Sequence, residues 1–206
     1  MNVNKQNLEV VRAASKDSSR LAIQVLRFEQ GGTVATNGNM LATVTYPEQL
    51  KGSELPKGLP EGNAEDLTPF SIPADSIKEL ARSIPKRSCL PALRNAFLDV
   101  AGTNSNGSAK FSATDLELTT PTEVRKVDMN FPNCEHVFPK DSDLSDRIGF
   151  NPDLLIDALT IVRNVMSEKG RACVVRFGGE NTPMLIEGEC FETGQVVKVV
   201  VMPKRL

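Results

Sequence analysis

With one histidine and four cysteines among 206 residues, the chain has little with which to run acid-base or metal chemistry. His136 sits in the proline-bounded connector Phe131-Pro132-Asn133-Cys134-Glu135-His136-Val137-Phe138-Pro139, so any Ser-His-Asp or Cys-His arrangement would have to be built on a linking segment. Cys89, Cys134, Cys173 and Cys190 are widely spaced, form no CxxC, and read as buried reduced thiols in preference to zinc ligands. Asp115 and Glu117 are a carboxylate pair with nothing beside them to support proton transfer. No phosphate-binding GxxxxGK[ST], GxSxG, HExxH or GxGxxG is present, and the glycine pairs read as hairpin turns. The expectation is a binding or assembly protein, not an enzyme, with no cofactor and no metal.

The residues whose pattern does point to chemistry are cationic or apolar. Lys5, Arg12 and Lys16 fall on one face of a candidate helix, Lys78 and Arg82 stand one turn apart on a second, and Arg163 lies on a third. The terminal run Val199-Val200-Val201-Met202-Pro203-Lys204-Arg205-Leu206 reads as a strand that ends in a proline and a basic pair, docked and available as an edge.

Bulk composition is that of an ordinary soluble globular protein, 40% hydrophobic and 24% charged. The net charge of -2 announces no polyanion ligand, but its distribution is uneven. The segments 4–20, 74–94 and 152–171 hold twelve Lys or Arg against seven Asp or Glu, and the rest holds twelve against nineteen. Such helices are either solvated on their outer faces or present positive charge to a phosphate backbone without reading its sequence. No apolar run approaches the roughly eighteen residues of a membrane span and no leader opens the chain, so a cytoplasmic protein without a membrane partner is expected.

Stepping along the chain, one pattern occurs three times. Residues 1–4 precede a helical stretch 5–16 and strand-like runs 21–29, 33–36 and 41–46. Residues 70–73 precede a helix 74–84 and runs 93–101, 109–114 and 118–127, with 102–107 as a hairpin loop. Residues 146–150 precede a helix to Met166, opened by Asn151-Pro152 and stopped at Lys169-Gly170-Arg171, then runs 172–177, 184–189 and 196–202. The fold class is α+β: three β-α-β-β-β repeats with helices on one face of antiparallel sheets. Residues 47–69, with four prolines, three glycines and a charge of -3, read as a linker.

The repeats and several short motifs resemble the bacterial DNA sliding clamp, the β subunit of DNA polymerase III. The matching stretches are Val34-Ala35-Thr36-Asn37-Gly38-Asn39-Met40-Leu41-Ala42, Leu90-Pro91-Ala92-Leu93 with Ala113-Thr114-Asp115-Leu116-Glu117, Phe131 to Val137, Ile148-Gly149-Phe150-Asn151-Pro152, and Val201-Met202-Pro203-Lys204-Arg205-Leu206. The resemblance covers most of the chain outside the linker. It implies a DNA-clamp-like fold, a ring whose helices line a hole around duplex DNA, and a docking pocket for polymerase, loader or repair proteins. Carried over by position, the pocket comprises Arg20, Ile23, Thr36, Gly38, Met40, Leu41, Pro132, Val137, Met202, Pro203, Arg205 and Leu206. The DNA-facing set comprises Lys5, Arg12, Lys16, Lys78, Arg82 and Arg163. Asn39-Met40 stands where the family has His-Arg, and His136 where it has a basic residue, which implies a less basic pocket.

The family's clamp has three domains of two repeats each, whereas three repeats are present here. The expected division is a first half-unit 1–50, a linker 51–68, and a complete clamp-like domain 69–206 made of repeats 69–128 and 145–206. The unpaired first repeat then predicts an even-numbered homo-oligomer, and four chains would supply a twelve-repeat ring. The competing reading is a clamp-like interaction module that binds such peptides without encircling DNA.

Overall fold

The computed structural model describes residues 1–50, 55, 58–84, 90–134, 137–139, 147–166, 172–178, 181–190 and 195–204. They form two compact bodies, Met1–Val137 and Phe138–Leu206. In the first body the elements run β1 (Asn2–Asn4), α1 (Lys5–Glu9), β2 (Val25–Glu29), β3 (Gly32–Thr36), β4 (Leu41–Thr45), β5 (Phe70–Pro73), α2 (Ala74–Ser83), β6 (Asn95–Leu98), α3 (Val100–Ser105), β7 (Ser108–Thr114) and β8 (Thr119–Arg125). They build two antiparallel four-stranded sheets, ordered β1-β6-β7-β8 and β4-β3-β2-β5.

Each sheet takes its edge strand from the other repeat. β1 of the first repeat pairs with β6 of the second, with Val3 opposite Ala96, and β5 of the second pairs with β2 of the first, with Ile72 opposite Leu26. All four side chains are fully buried. The expected division, which set residues 1–50 apart from 69–206, is therefore corrected: the complete two-repeat domain is made by the first and second repeats, and the third stands in the other body. Periodicity identifies each repeat but carries no information about which repeat supplies a neighbour's missing edge.

One apolar core joins the two sheets to α1 and α2. At its centre Phe28 stacks on Phe70 with ring centroids 4.9 Å apart and tilts against Phe111 at 5.8 Å. α1 is fixed at both ends of its first turn by a reciprocal cap: the Asn4 side-chain Oδ1 accepts from the Asn7 backbone N–H, and the Asn7 Oδ1 accepts from the Asn4 backbone N–H. The buried Asn7 amide also donates to the carbonyls of Val44 and Thr45, which ties the helix across β4. The expected helix 5–16 is shorter. It passes into a 3-10 turn at Val10–Ala13, where adjacent β-branched valines lower helix propensity.

Three further expectations change. The strand expected at 21–29 begins at Val25 after a 3-10 turn over Leu21–Ile23. The strand expected at 93–101 is cut to Asn95–Leu98, and the expected hairpin loop 102–107 is mostly α3, because the Asp99 carboxylate caps it by accepting from the Gly102 N–H at 2.9 Å. The stretch read as a linker is packed onto the first body where it is described: Leu67 is buried in the main core, and Leu59 is buried against Phe97 beside Leu50 and Leu55. Asn2 holds its start by hydrogen bonds with Gln49, the Glu48 carbonyl and the Leu50 N–H.

The second body holds α4 (Pro152–Met166), β9 (Val174–Arg176), β10 (Met184–Cys190) and β11 (Gln195–Val201), with strand order β11-β10-β9. Ala158, Val162 and Met166 pack α4 on the sheet over Ile186, Val197 and Val201. Gly188 allows this approach, since a Cβ there would lie 2.5 Å from the Met166 sulfur. Of the strand expected at 146–150, the described residues retain one bridge: the Lys204 N–H donates to the Gly149 carbonyl at 2.8 Å.

Because the two repeats of the first body share one core, Phe28→Ala should cost about 3–5 kcal/mol and lower the denaturant midpoint of a single transition. Separate unfolding of the two repeats in that variant, followed by backbone amide exchange, would contradict the shared core.

Candidate functional site

α1 packs beside α2, and the side chains they and the following 3-10 turn offer form a groove of about 490 Å³. Its floor is Leu8, Val11, Ile77, Ala81 and Ile84, and its rim is Lys5, Arg12, Lys78 and Arg82 with Glu9. Four of the six residues expected to face DNA are thus brought together. Arg12 is ion-paired with Glu9, and Lys78 with Asp75 at 3.2 Å; both cations are largely exposed, so these surface pairs contribute little and leave the charge available to a polyanion. Lys16 is exposed in the segment after the 3-10 turn and does not line the groove, because the helix expected to carry it ends at Glu9. Arg163 is exposed on α4 of the second body, two turns after Ile156 on the same side of that helix.

The helical charge divides in the same way. Segments 4–20 and 74–94 hold nine basic residues against four acidic, while 152–171 holds three against three. Within α4 itself Asp153 and Asp157 outnumber Arg163, and Leu154, Ile156, Leu159 and Ile161 are 41–60% exposed.

The turn from Thr36 to Leu41 gathers five of the residues expected in the peptide pocket. The Thr36 hydroxyl donates to the Met40 carbonyl at 2.8 Å and accepts from the Gly38 N–H, while the Asn37 side-chain oxygen accepts from the N–H groups of Asn39 and Met40. Gly38 has φ +89°, and the Arg20 guanidinium reaches the Asn37 carbonyl across it. Met40 is half exposed, and Leu41 packs with Val25, Val34 and Phe131. Ile23 is half-buried in the preceding 3-10 turn. Pro132 and Val137 are exposed, the latter at 63%.

Phe131 is not among the expected residues, yet it packs beside Leu41. It is buried against Val25 and Val34 and lies under Arg27 at 5.6 Å, and an aromatic side chain directly before Pro132 was the available signal. Beside it the Cys134 thiol is pushed up by burial and by Glu29. In the second body Met202 is 61% exposed and Pro203 half-buried, next to the Lys204 bridge. Arg205 and Leu206, with His136 and Cys89, lie outside the described residues.

The second repeat carries the same turn. The Thr114 hydroxyl donates to the Leu118 carbonyl and accepts from the Leu116 N–H, and Asp115 accepts from the N–H groups of Glu117 and Leu118. Those bonds, that from Leu118 foremost, hold the Asp115 carboxyl below its ordinary range. Leu116 takes the place of Gly38 with φ +82°, a left-handed backbone that disfavours a branched side chain. Opposite substitutions should therefore move stability in opposite directions. Gly38→Ala should cost about 1 kcal/mol and Leu116→Gly should gain about 0.5–1 kcal/mol in chemical denaturation. Equal signs for the two would show that the turns are not equivalent.

No protein-family model matches the sequence, and no curated protein does. Solved structures do match. One is DNA polymerase III subunit beta from Borrelia burgdorferi in complex with a natural product, at 14% identity and a TM-score of 0.67 over 98% of this chain and 47% of that one. Another is a putative DNA polymerase III beta subunit from Eubacterium rectale, at 11% identity and a TM-score of 0.63 over 99% of this chain and 50% of that one. The chain therefore carries the fold of the DNA polymerase III β subunit and spans about half the length of the solved structures it matches.

Proposed function

We propose that the chain is a short sliding clamp, a processivity factor that assembles with itself around duplex DNA and holds polymerase, loader or repair proteins through a short peptide. The observation that carries this reading is the α1–α2 groove: in a fold shared with polymerase III β subunits, α1, the 3-10 turn after it and α2 converge four basic side chains on one surface. Such a surface recognises phosphate by charge and leaves bases unread, which suits a protein that must move along DNA. Partner peptides would use the Arg20, Thr36 to Leu41 and Pro132 region of the first body, and Met202 and Pro203 are separate candidates on the second. An apolar recess with a basic rim accepts an extended hydrophobic segment.

The second reading, an interaction module that never encircles DNA, is favoured by α4, whose exposed surface is apolar with two acids to one base. Retention on DNA separates the two. A ring should stay on nicked circular duplex and be lost when that circle is linearised, whereas a module should show no difference. Lys78→Ala with Arg82→Ala should weaken binding equally across sequences and lower the slope of log K against log salt by about 2. Absence of any duplex affinity at low salt sinks the clamp. Leu41→Ala with Met202→Ala should abolish capture of a clamp-binding peptide in either case, and unchanged affinity rejects the pocket.

A further inference from the structure

The third repeat exposes the two surfaces that the first and second repeats bury against each other. Aligned on their first-turn acids, Asp75 of α2 and Asp153 of α4, Ser71 of β5 falls on Gly149, Ile72 on Phe150 and Ala96 of β6 on Val174. The hydrogen bonds support this alignment. The Val127 N–H donates to the Ser71 carbonyl, and the Lys204 N–H donates in the same manner to the Gly149 carbonyl. The lead segment of the third repeat is thus seated on its own repeat as β5 is. What β5 has in addition is a partner along its other edge, β2 of the first repeat.

That second edge is where the third repeat differs. Both sheets of the first body have four strands, the fourth supplied by the other repeat, whereas the third sheet has three and nothing among the described residues pairs with the outer edge of β9. Ala96 and Phe97 of β6 are 0% and 1% exposed, but Val174 and Val175 of β9 are 57% and 42% exposed. α4 departs from α2 in the same sense. Ile156 stands where α2 has Lys78, and Leu159 where it has Ala81, on the side that α2 turns toward the α1 groove; they are 60% and 41% exposed.

We infer that the third repeat pairs with the third repeat of a second copy of this chain, by the strand exchange that already joins its first two repeats. The lead segment 148–150 of each copy adds to β9 of the other. The β1–β6 register then sets Phe150 opposite Val174, Gly149 opposite Val175 and Ile148 opposite Arg176 of the second copy. Ile156 and Leu159 of the two α4 helices close an apolar seam where the first body has a cationic groove.

The occupant is specified by complementarity. Among the described residues the repeat holds both a bridged lead segment to give and a sheet edge to receive one, which is the condition for a self-complementary twofold interface. The apolar area fits as well. Ile156, Leu159, Val174 and Val175 leave on the order of 400 Å² exposed per copy, the apolar half of the roughly 800 Å² per partner that a stable interface buries. A nucleic acid does not suit a helix with two acids, one base and an apolar outer side. The inference rests on the self-association in the proposed function and adds the face that makes it.

Sedimentation of the full chain at about 10 μM should show an even-numbered oligomer. Ile156→Glu with Leu159→Glu, both on exposed positions, should weaken that association at least tenfold with an unchanged far-ultraviolet spectrum. As a second measurement, Ile148→Cys with Arg176→Cys should give a chain of doubled mass on mild oxidation, absent from the parent chain under the same oxidant. A strict monomer overturns the pairing and the ring together. An oligomer that tolerates both glutamates and gives no cross-link between copies overturns the pairing alone. Loss of preference for circular DNA in a dimer that does cross-link overturns the sliding clamp and supports the pairing.

Discussion

The structure of the first body depends on the exchange of lead strands between its two repeats. A three-stranded sheet with a helix on one face leaves a row of unpaired backbone groups at its edge and a helix flank open to water. Each repeat meets both needs of the other: β1 closes β6, β5 closes β2, and the helices that follow these strands are thereby set side by side. The cationic groove is a by-product of that closure. Lys5 follows β1 directly, and Lys78 and Arg82 follow β5 by one and two turns, so the strand that crosses over also delivers the charge.

The same logic explains why the two ends of the chain differ in character. Where a repeat has a partner, its helix rim is basic; where it lacks one, valine, leucine and isoleucine stay exposed on both helix and strand. Two helices of one repeat family therefore carry different chemistry. α2 buries a narrow stripe and offers lysine and arginine outside it, while α4 buries a similar stripe and is apolar beyond it.

Much of this was legible in the sequence, and the exceptions have physical causes. The repeats, all but one of their strands, and the turn at Thr36 to Leu41 follow from local spacing and from side chains that bond their own backbone. The pairing of repeats was misread, since residues 69–206 were expected to form the complete domain. Strand exchange is set by contacts between residues far apart in sequence, such as Leu26 with Ile72 and Val3 with Ala96, which no periodicity reports. α3 was missed because two glycines and three turn-forming residues outweighed a single aspartate, yet the Asp99 cap decided the matter. Lys16 was placed on a helix that two valines bring to an early end.

The bond that seals the first sheet joins the amine of Met1 to the carbonyl of Leu98, 97 residues further along the chain. A ribosome adding roughly 5–20 residues per second must therefore work for some 5–20 s between making β1 and making its neighbour β6. Over that interval β1 lacks the strand it pairs with, and the buried Val3 and the Asn2 and Asn4 backbone wait for β6. The exchange that makes the finished domain a single cooperative body also makes its newest form the one most in need of a chaperone's shelter.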